Sequence, residues 1–410
     1  MKEYKDIIIN KTGYFWDFWW AYIPEPLIPI MKEIEEAFFR LKNDPVFITE
    51  LQELYSNYIG RPTALIYAKI LSQHLWWANI YIKNEGLAHT WAHKINHVIW
   101  QLLIAKHIWK THIIAETWAG QHGLATASAC AKMWLSCTIY MWKKDYERQR
   151  PNVYYMELAW AKVVPVTQWQ QSLRDAVNAG MQALINDSQE SYYLLWTACG
   201  PHPYPSMNVF FQKIIWEEVK KQIPVTPDYL IACLWWGSNS LWLFYEFLDS
   251  PEVKMIWVEA GGKWKKIWEH AARFLKKQSG ILQGYKSYFL QDENWQIEDT
   301  YSISAWLDYA WVSPQICYLE NKWRIKVTQA SDSEVLEALQ ILMKTEGILW
   351  ALESCHAVAH AIKLAPTLSS SQNIVIWLSW RGDKDLFITA PKLDKNFCSY
   401  LYKQSKYHEK

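Results

Sequence analysis

Glycine is scarce in this chain: 14 in 410 residues, where average usage of about 7% would supply roughly 29. Glycine alone adopts left-handed backbone freely, so few turns or close backbone approaches are available without strain. An excess of one charge is also missing. Lys+Arg 42 against Asp+Glu 41 leaves +1, with no polybasic run, which argues against nucleic acid or an anionic membrane as partner. The seven cysteines (Cys130, Cys137, Cys199, Cys233, Cys317, Cys355, Cys398) form no C-x-x-C pair and are odd in number. That pattern fits reduced thiols in a cytoplasmic protein and neither a disulfide frame nor a zinc site. Long apolar runs are absent as well; the stretch 229–248 is broken by Gly237-Ser238-Asn239, so a membrane span is not expected. Residues 1–11 lack the basic end and apolar core of a signal peptide.

Tryptophan is what the chain has in excess. There are 28, including the doublets Trp19-Trp20, Trp76-Trp77 and Trp235-Trp236. They are spread along the whole chain, unlike stacking platforms for sugars or bases, which would gather on one segment. At 51% hydrophobic, the length suffices for two ordinary domains sharing a substantial core.

Helical spacing of apolar residues marks 33–42 and 46–58. Short apolar strands are predicted at 79–83, 112–115, 138–141, 162–167, 229–234, 253–259 and 373–378. Helices are predicted between them at 94–106, 125–133, 173–186, 210–222, 334–344 and 354–364. Strand alternating with helix predicts a doubly wound parallel α/β architecture in two units, with Pro224-Val225-Thr226-Pro227 as a local break. No internal repeat is present.

Six motifs then line up along the chain. Read with glycine in place of tryptophan, Tyr14 to Glu25 (YFWDFWWAYIPE) resembles the opening of tryptophan synthase beta chains. The same reading restores His89-Thr90-Trp91-Ala92-His93-Lys94-Ile95-Asn96, Glu116-Thr117-Trp118-Ala119-Gly120-Gln121-His122-Gly123, Trp235-Trp236-Gly237-Ser238-Asn239 and Ser379-Trp380-Arg381-Gly382-Asp383-Lys384-Asp385. Gly200-Pro201-His202-Pro203-Tyr204-Pro205 stands intact. The resemblance spans about 14–387. It implies the fold-type II pyridoxal-phosphate fold: two three-layer parallel-sheet α/β domains with the cofactor between them. The units would be 1–210, carrying the cofactor lysine and a mobile lid at about 109–196, and 211–410, carrying the phosphate loop.

The same resemblance implies roles. Lys94 would form the Schiff base with pyridoxal phosphate, which needs an amine that burial keeps unprotonated. His93 and the Gly237, Ser238, Asn239 loop would hold the phosphate, Gln121 and Glu353 would lie near the cofactor, and Ser379 would face the pyridine nitrogen with a neutral hydroxyl. Glu116, at the end of a short strand, would protonate the departing serine hydroxyl and then accept the indole proton, a double task suited by a pKa raised in an apolar pocket. Thr117, Gly120, Gln121 and His122 would bind the amino acid's carboxylate. Arg148 and Asp308 would pair when the lid closes. Backbone carbonyls near Trp235 and Tyr309 would take a monovalent cation. The implied substrates are L-serine and indole, and the implied assembly is a beta–beta dimer capped by alpha subunits.

The tryptophans conflict with this. An indole at Trp235 or Trp236 would fill the space of the phosphate, and overpacking one core site costs about 1–3 kcal/mol. The reading that reconciles them is a codon, UGA, translated as glycine in the native host and as tryptophan in this sequence. Trp350 and Trp377 do not follow the pattern, because glycine is not the family's usual residue there. A serine or threonine dehydratase, or threonine synthase, is the rival within the fold. A non-catalytic tryptophan-rich chain is the rival outside it.

Overall fold

The computed structural model describes residues 4–408 except 77, 119, 168–172, 196–199, 238–240, 242–243, 264–265, 283 and 305. Its strands in chain order are β1 (Tyr14–Phe15), β2 (Phe18–Trp20), β3 (Leu65–Tyr67), β4 (Asn79–Asn84), β5 (His112–Thr117), β6 (Ser136–Trp142) and β7 (Lys162–Val166). They continue with β8 (Ser191–Tyr193), β9 (Tyr229–Cys233), β10 (Lys254–Gly262), β11 (Gln278–Leu282), β12 (Tyr285–Phe289), β13 (Lys326–Ser331) and β14 (Asn373–Leu378).

The larger sheet runs β13-β10-β9-β14-β4-β3. Its pairs are parallel except β3 with β4. Every residue of β9 (YLIAC) and β14 (NIVIWL) is buried, as expected of parallel strands covered on both faces. A second sheet, β7-β6-β5-β8, is parallel throughout and lies within residues 109–196. The parallel α/β class predicted from the alternation is therefore present. A small antiparallel sheet, β1-β2-β12-β11, was not predicted, because strands as short as two or three residues carry no readable period. The predicted helix 210–222 is two helices, Tyr204–Gln212 and Ile214–Gln222, meeting at Lys213. No helix among the described residues is long and apolar enough to cross a membrane.

The backbone isolates the tryptophans. Ten described non-glycine residues have positive φ, and eight are Trp: Trp16, Trp76, Trp91, Trp109, Trp134, Trp160, Trp295 and Trp323. Several terminate helices. Trp134 caps Gln121–Met133 at φ 57, ψ 40, and Trp109, Trp160 and Trp323 follow the helices Lys94–His107, Arg150–Leu158 and Pro314–Asn321 at φ 61, 67 and 56. Gly347 does the same for Asp332–Glu346 at φ 66. This left-handed stop is where glycine is enriched, because a Cβ there meets the adjacent carbonyl. Each L-residue so placed costs roughly 1–2 kcal/mol, so eight together rival the roughly 5–15 kcal/mol of a typical domain's stability.

Candidate active site

Three strand ends converge. β4 leads into the segment that carries Lys94, β9 into Trp235–Gly237, and β14 into Ser379. Carboxyl ends of parallel strands are where α/β folds place their ligand sites. Lys94 is the first residue of the helix Lys94–His107 and is 2% exposed. Burial pulls its amine well below the ordinary lysine value, with the Glu116 charge opposing. That direction favours the neutral amine that nucleophilic lysines require.

The turn before Lys94 is clamped from two sides. The His93 backbone N–H donates to Ser379 O at 3.1 Å, and the His93 ring Nδ1 lies 3.1 Å from the same oxygen. Gln212 donates to His93 O at 3.2 Å and contacts the His97 ring at 2.9 Å. Burial and Lys94 push His93 down to about 3, so it is neutral. Beneath this turn lies a buried charge quartet. Arg61 bridges Glu85 at 2.8 Å and Glu218 at 2.7 Å, and Lys83 meets Glu218 at 2.6 Å. Asn96 joins the quartet to Gln212, accepting from Arg61 at 2.9 Å and donating to Gln212 at 3.1 Å.

Ser379 Oγ lies 3.0 Å from Ser354 Oγ. Glu353, in the first turn of the same helix as Ser354, accepts from the Trp380 indole at 2.9 Å and from Lys384 at 3.2 Å. Burial would raise the Glu353 carboxyl, but Lys384 leaves it below its ordinary value. Glu116 is 1% exposed near the end of β5. Thr117 Oγ1 accepts the Gly123 N–H at 3.2 Å. Gly120 has φ +83, and a Cβ there would meet Asn152 Cβ at 2.6 Å. Gln121 donates to Thr90 O. His122 donates to Leu194 O at 3.1 Å and stacks on His97 at 5.5 Å; burial drives both imidazoles far below their ordinary value.

Lys94, Ser379, His93 and Glu353 line one cavity with Trp235, Trp306 and Trp380. Its volume is about 20 Å³, about enough for one water. Lys94 and Ser379 face this one cavity, whereas Glu116 and Gly237 are not among its lining residues. Lys94 Nζ lies 5.1 Å from the Trp235 ring centroid and 4.7 Å from that of Trp306. Trp235 stacks on Trp236 at 5.0 Å, and Trp306 packs edge-on against Trp235 at 4.7 Å and Trp380 at 4.8 Å. With these indoles in place, a phosphorylated pyridine ring does not fit beside Lys94.

Gly237 has φ +96, and a Cβ there would meet Ile316 at 2.1 Å. Ser238, Asn239 and the side chain of Arg148 lie outside the described residues. Asp308 is half-buried directly before Tyr309. Sequence reasoning missed Arg61, Asn96, Gln212, Glu218, Ser354 and Arg273. Asn96 closes the His89–Asn96 motif and Ser354 directly follows Glu353; the other four are polar residues buried in the tertiary structure, with no motif around them to separate them from surface residues of the same type.

The pyridoxal-phosphate dependent enzyme family profile matches residues 57–379. The tryptophan synthase beta chain of Ruegeria pomeroyi is 43% identical over 386 residues, covering 93% of both chains. That of Roseobacter denitrificans is 43% identical over 389 residues, covering 94% of this chain and 95% of the relative. A solved threonine deaminase from T.th. superposes with a TM-score of 0.61 at 16% identity, covering 85% of this chain and 97% of that one. A solved pyridoxal 5'-phosphate-dependent aspartate racemase gives 0.60 at 16% identity, over 82% and 95%. These two fix the fold alone, that of the fold-type II pyridoxal-phosphate enzymes. Near-full-length identity places the function: this chain belongs to the tryptophan synthase beta chain family of pyridoxal-phosphate dependent enzymes.

Proposed function

We propose that the active form of this chain carries glycine at most of its tryptophan positions and joins L-serine to indole, giving L-tryptophan and water. The observation that carries the reading is the shared cavity of Lys94, His93, Glu353 and Ser379, crowded by Trp235, Trp306 and Trp380. A UGA codon read as glycine accounts both for those indoles and for the eight tryptophans at positive φ. Hydrogen in place of the side chains of Trp235, Trp236, Trp306 and Trp380 empties the space in front of Lys94.

In that form Lys94 is the amine that attaches the cofactor and carries the proton at the serine Cα. Its burial holds the amine well below the ordinary lysine value, which favours the unprotonated form. Glu116 handles the proton at the departing hydroxyl and then at the indole nitrogen. Ser379, held by Ser354, presents a neutral hydroxyl to the pyridine nitrogen. His93 and the Gly237, Ser238, Asn239 loop take the phosphate, and Gln121 and Glu353 flank the cofactor. The Thr117, Gly120, Gln121, His122 turn takes the substrate carboxylate through its N–H groups, at a helix start suited to anions. Arg148 and Asp308 pair on closure of the 109–196 unit, which excludes water. A positive charge at the carbonyls near Trp235 and Tyr309 completes the site. Residues 1–210 and 211–410 serve as the two domains, and a beta–beta dimer with alpha subunits, in the cytoplasm, is the assembly the family supports.

The test is a gene encoding glycine at the tryptophan positions that follow the pattern, with Trp350 and Trp377 kept, assayed with pyridoxal phosphate, L-serine and indole. Tryptophan formation and a visible band from the bound cofactor are expected. A folded glycine form that deaminates serine or threonine and ignores indole would establish the dehydratase reading instead.

A further inference from the structure

Beside the Trp235–Gly237 loop lies a fully buried cation that no catalytic role uses. Arg273 is 0% exposed. Its Nε donates to Glu259 Oε1 at 2.8 Å, and its backbone N–H reaches the same oxygen at 3.0 Å. The far end of the guanidinium turns to main-chain oxygens. Nη2 donates to Leu234 O at 3.0 Å, and Nη1 to Tyr309 O at 3.2 Å and Trp311 O at 3.4 Å. Three main-chain oxygens from two separate segments thus converge on one positive charge.

Such a carbonyl cluster is the donor set with which proteins replace the hydration shell of a monovalent ion. Here its oxygens are already directed at a guanidinium, whose planar fork of N–H donors can serve several acceptors at once. A second cation at the same oxygens would face a like charge at contact distance. The location gives the cluster consequences. Leu234 directly precedes the Trp235–Gly237 loop, and Tyr309 and Trp311 closely follow Asp308. One side chain therefore ties the loop after β9 to the segment carrying Asp308.

We propose that Arg273 is the resident cation of this carbonyl cluster, a positioning residue that sets the β9 loop against the Asp308 segment. This chain consequently works without a monovalent cation from solution. The inference rests on the tryptophan-forming reading only for its activity readout; its melting readout is independent of cofactor and turnover.

The experiment compares the glycine form in KCl, NaCl, CsCl and choline chloride at equal ionic strength. The melting temperature of the cofactor-free chain and the rate of tryptophan formation should agree across the four salts, rates within twofold. R273A removes the tethered charge. In choline it should melt lower and turn over at least tenfold more slowly, and potassium or millimolar guanidinium should restore both in a saturable way. Restoration by a small cation is something a merely structural arginine would not show. Salt-independent melting without turnover would sink the proposed reaction and leave Arg273's role standing. The inference is overturned if Na, K or Cs raises the parent protein's melting temperature or its rate more than tenfold over choline. It is equally overturned if folded R273A matches the parent in choline, or responds to no cation. If R273A is insoluble in every salt, the parent's response alone decides.

Discussion

The helix ends and the cavity hold the same residue type and reject it for different reasons. At Trp109, Trp134, Trp160 and Trp323 the indole is 88–89% exposed and touches little; the objection comes from the backbone, held at positive φ. At Trp235, Trp236, Trp306 and Trp380 no positive φ occurs; the objection is volume, with each ring buried against its neighbours around Lys94. Only one residue answers both objections, since glycine lacks the Cβ that strains the first set and the ring that fills the second. Had the tryptophans been selected for a site, the cavity would be affected and the distant helix ends spared. Both regions are affected, as the proposed recoding of a single codon requires.

Breaking the comparison at the cavity gives the largest effect. Glycine at 235, 236, 306 and 380 together should turn a chain that binds no pyridoxal phosphate into one that binds it stoichiometrically, read by the visible band of the protein-bound cofactor. Lys94→Ala in that background should abolish the band, whereas Glu116→Ala should keep it and lose the coupling of serine to indole. A band that survives Lys94→Ala would remove Lys94 from its assigned place.

A buried site without tryptophan serves as the control. Glu218→Ala leaves Arg61 and Lys83 buried with one carboxylate between them, and breaking such a pair costs about 3–5 kcal/mol. Urea unfolding should show that loss equally in the glycine and tryptophan forms. A loss confined to one form would mean that the tryptophans disturb the quartet as well.

The helix ends give smaller steps. Trp134→Gly, Trp160→Gly and Trp323→Gly should each stabilise by about 1 kcal/mol. They should add independently because the sites are separate, as shifts in the urea midpoint at constant slope. A fall in stability at any of the three would contradict the left-handed assignment there.

How far could the sequence be read? The strand 373–378 and the helix 173–186 have the bounds predicted, because apolar runs and their flanks carry their own period. Lys94, Glu116 and Ser379 were legible through motifs, and the structure places Lys94 and Ser379 around one cavity with Glu116 close enough for its charge to act on the amine. The Lys213 break was not legible, since Tyr204–Gln212 and Ile214–Gln222 read as one continuous pattern. Nor was Arg273, because nothing in Ala271-Ala272-Arg273-Phe274 shows that three carbonyls from elsewhere in the fold will meet it. The tryptophan excess was visible at once, but the helix ends were not: φ is a property of the chain's path, not of its composition.

The response to acid tests the buried histidines behind the cavity. His93, pushed down to about 3 from its ordinary 6.5, cannot take up the proton that the unfolded chain accepts in that window. Stability is therefore complete above about pH 6.5 and falls as pH drops toward 3. His97 and His122 act in the same direction. Glu85, held down to about 2 by Arg61 against its own burial, also loses stability on acidification. Asp385, pushed up to about 6 by burial, acts oppositely, since the native state binds its proton more tightly between 3.8 and 6. Glu85 acts only below its ordinary 4.5, so between pH 7 and pH 5 the three histidines set the sign against Asp385, and the urea midpoint should be lower at pH 5 than at pH 7. Equal midpoints would mean that the histidines are not buried as neutral groups.

The intact mass of the protein purified from its own host tests the central claim most directly. With tryptophan at every such position the chain weighs 48.6 kDa. The account predicts a lighter protein, short by one indolylmethyl group at each of the replaced positions, including Trp109, Trp134, Trp160 and Trp323 as well as those around Lys94. A native mass of 48.6 kDa would contradict it, and would leave a chain with the family's fold and ancestry and no room for the family's cofactor.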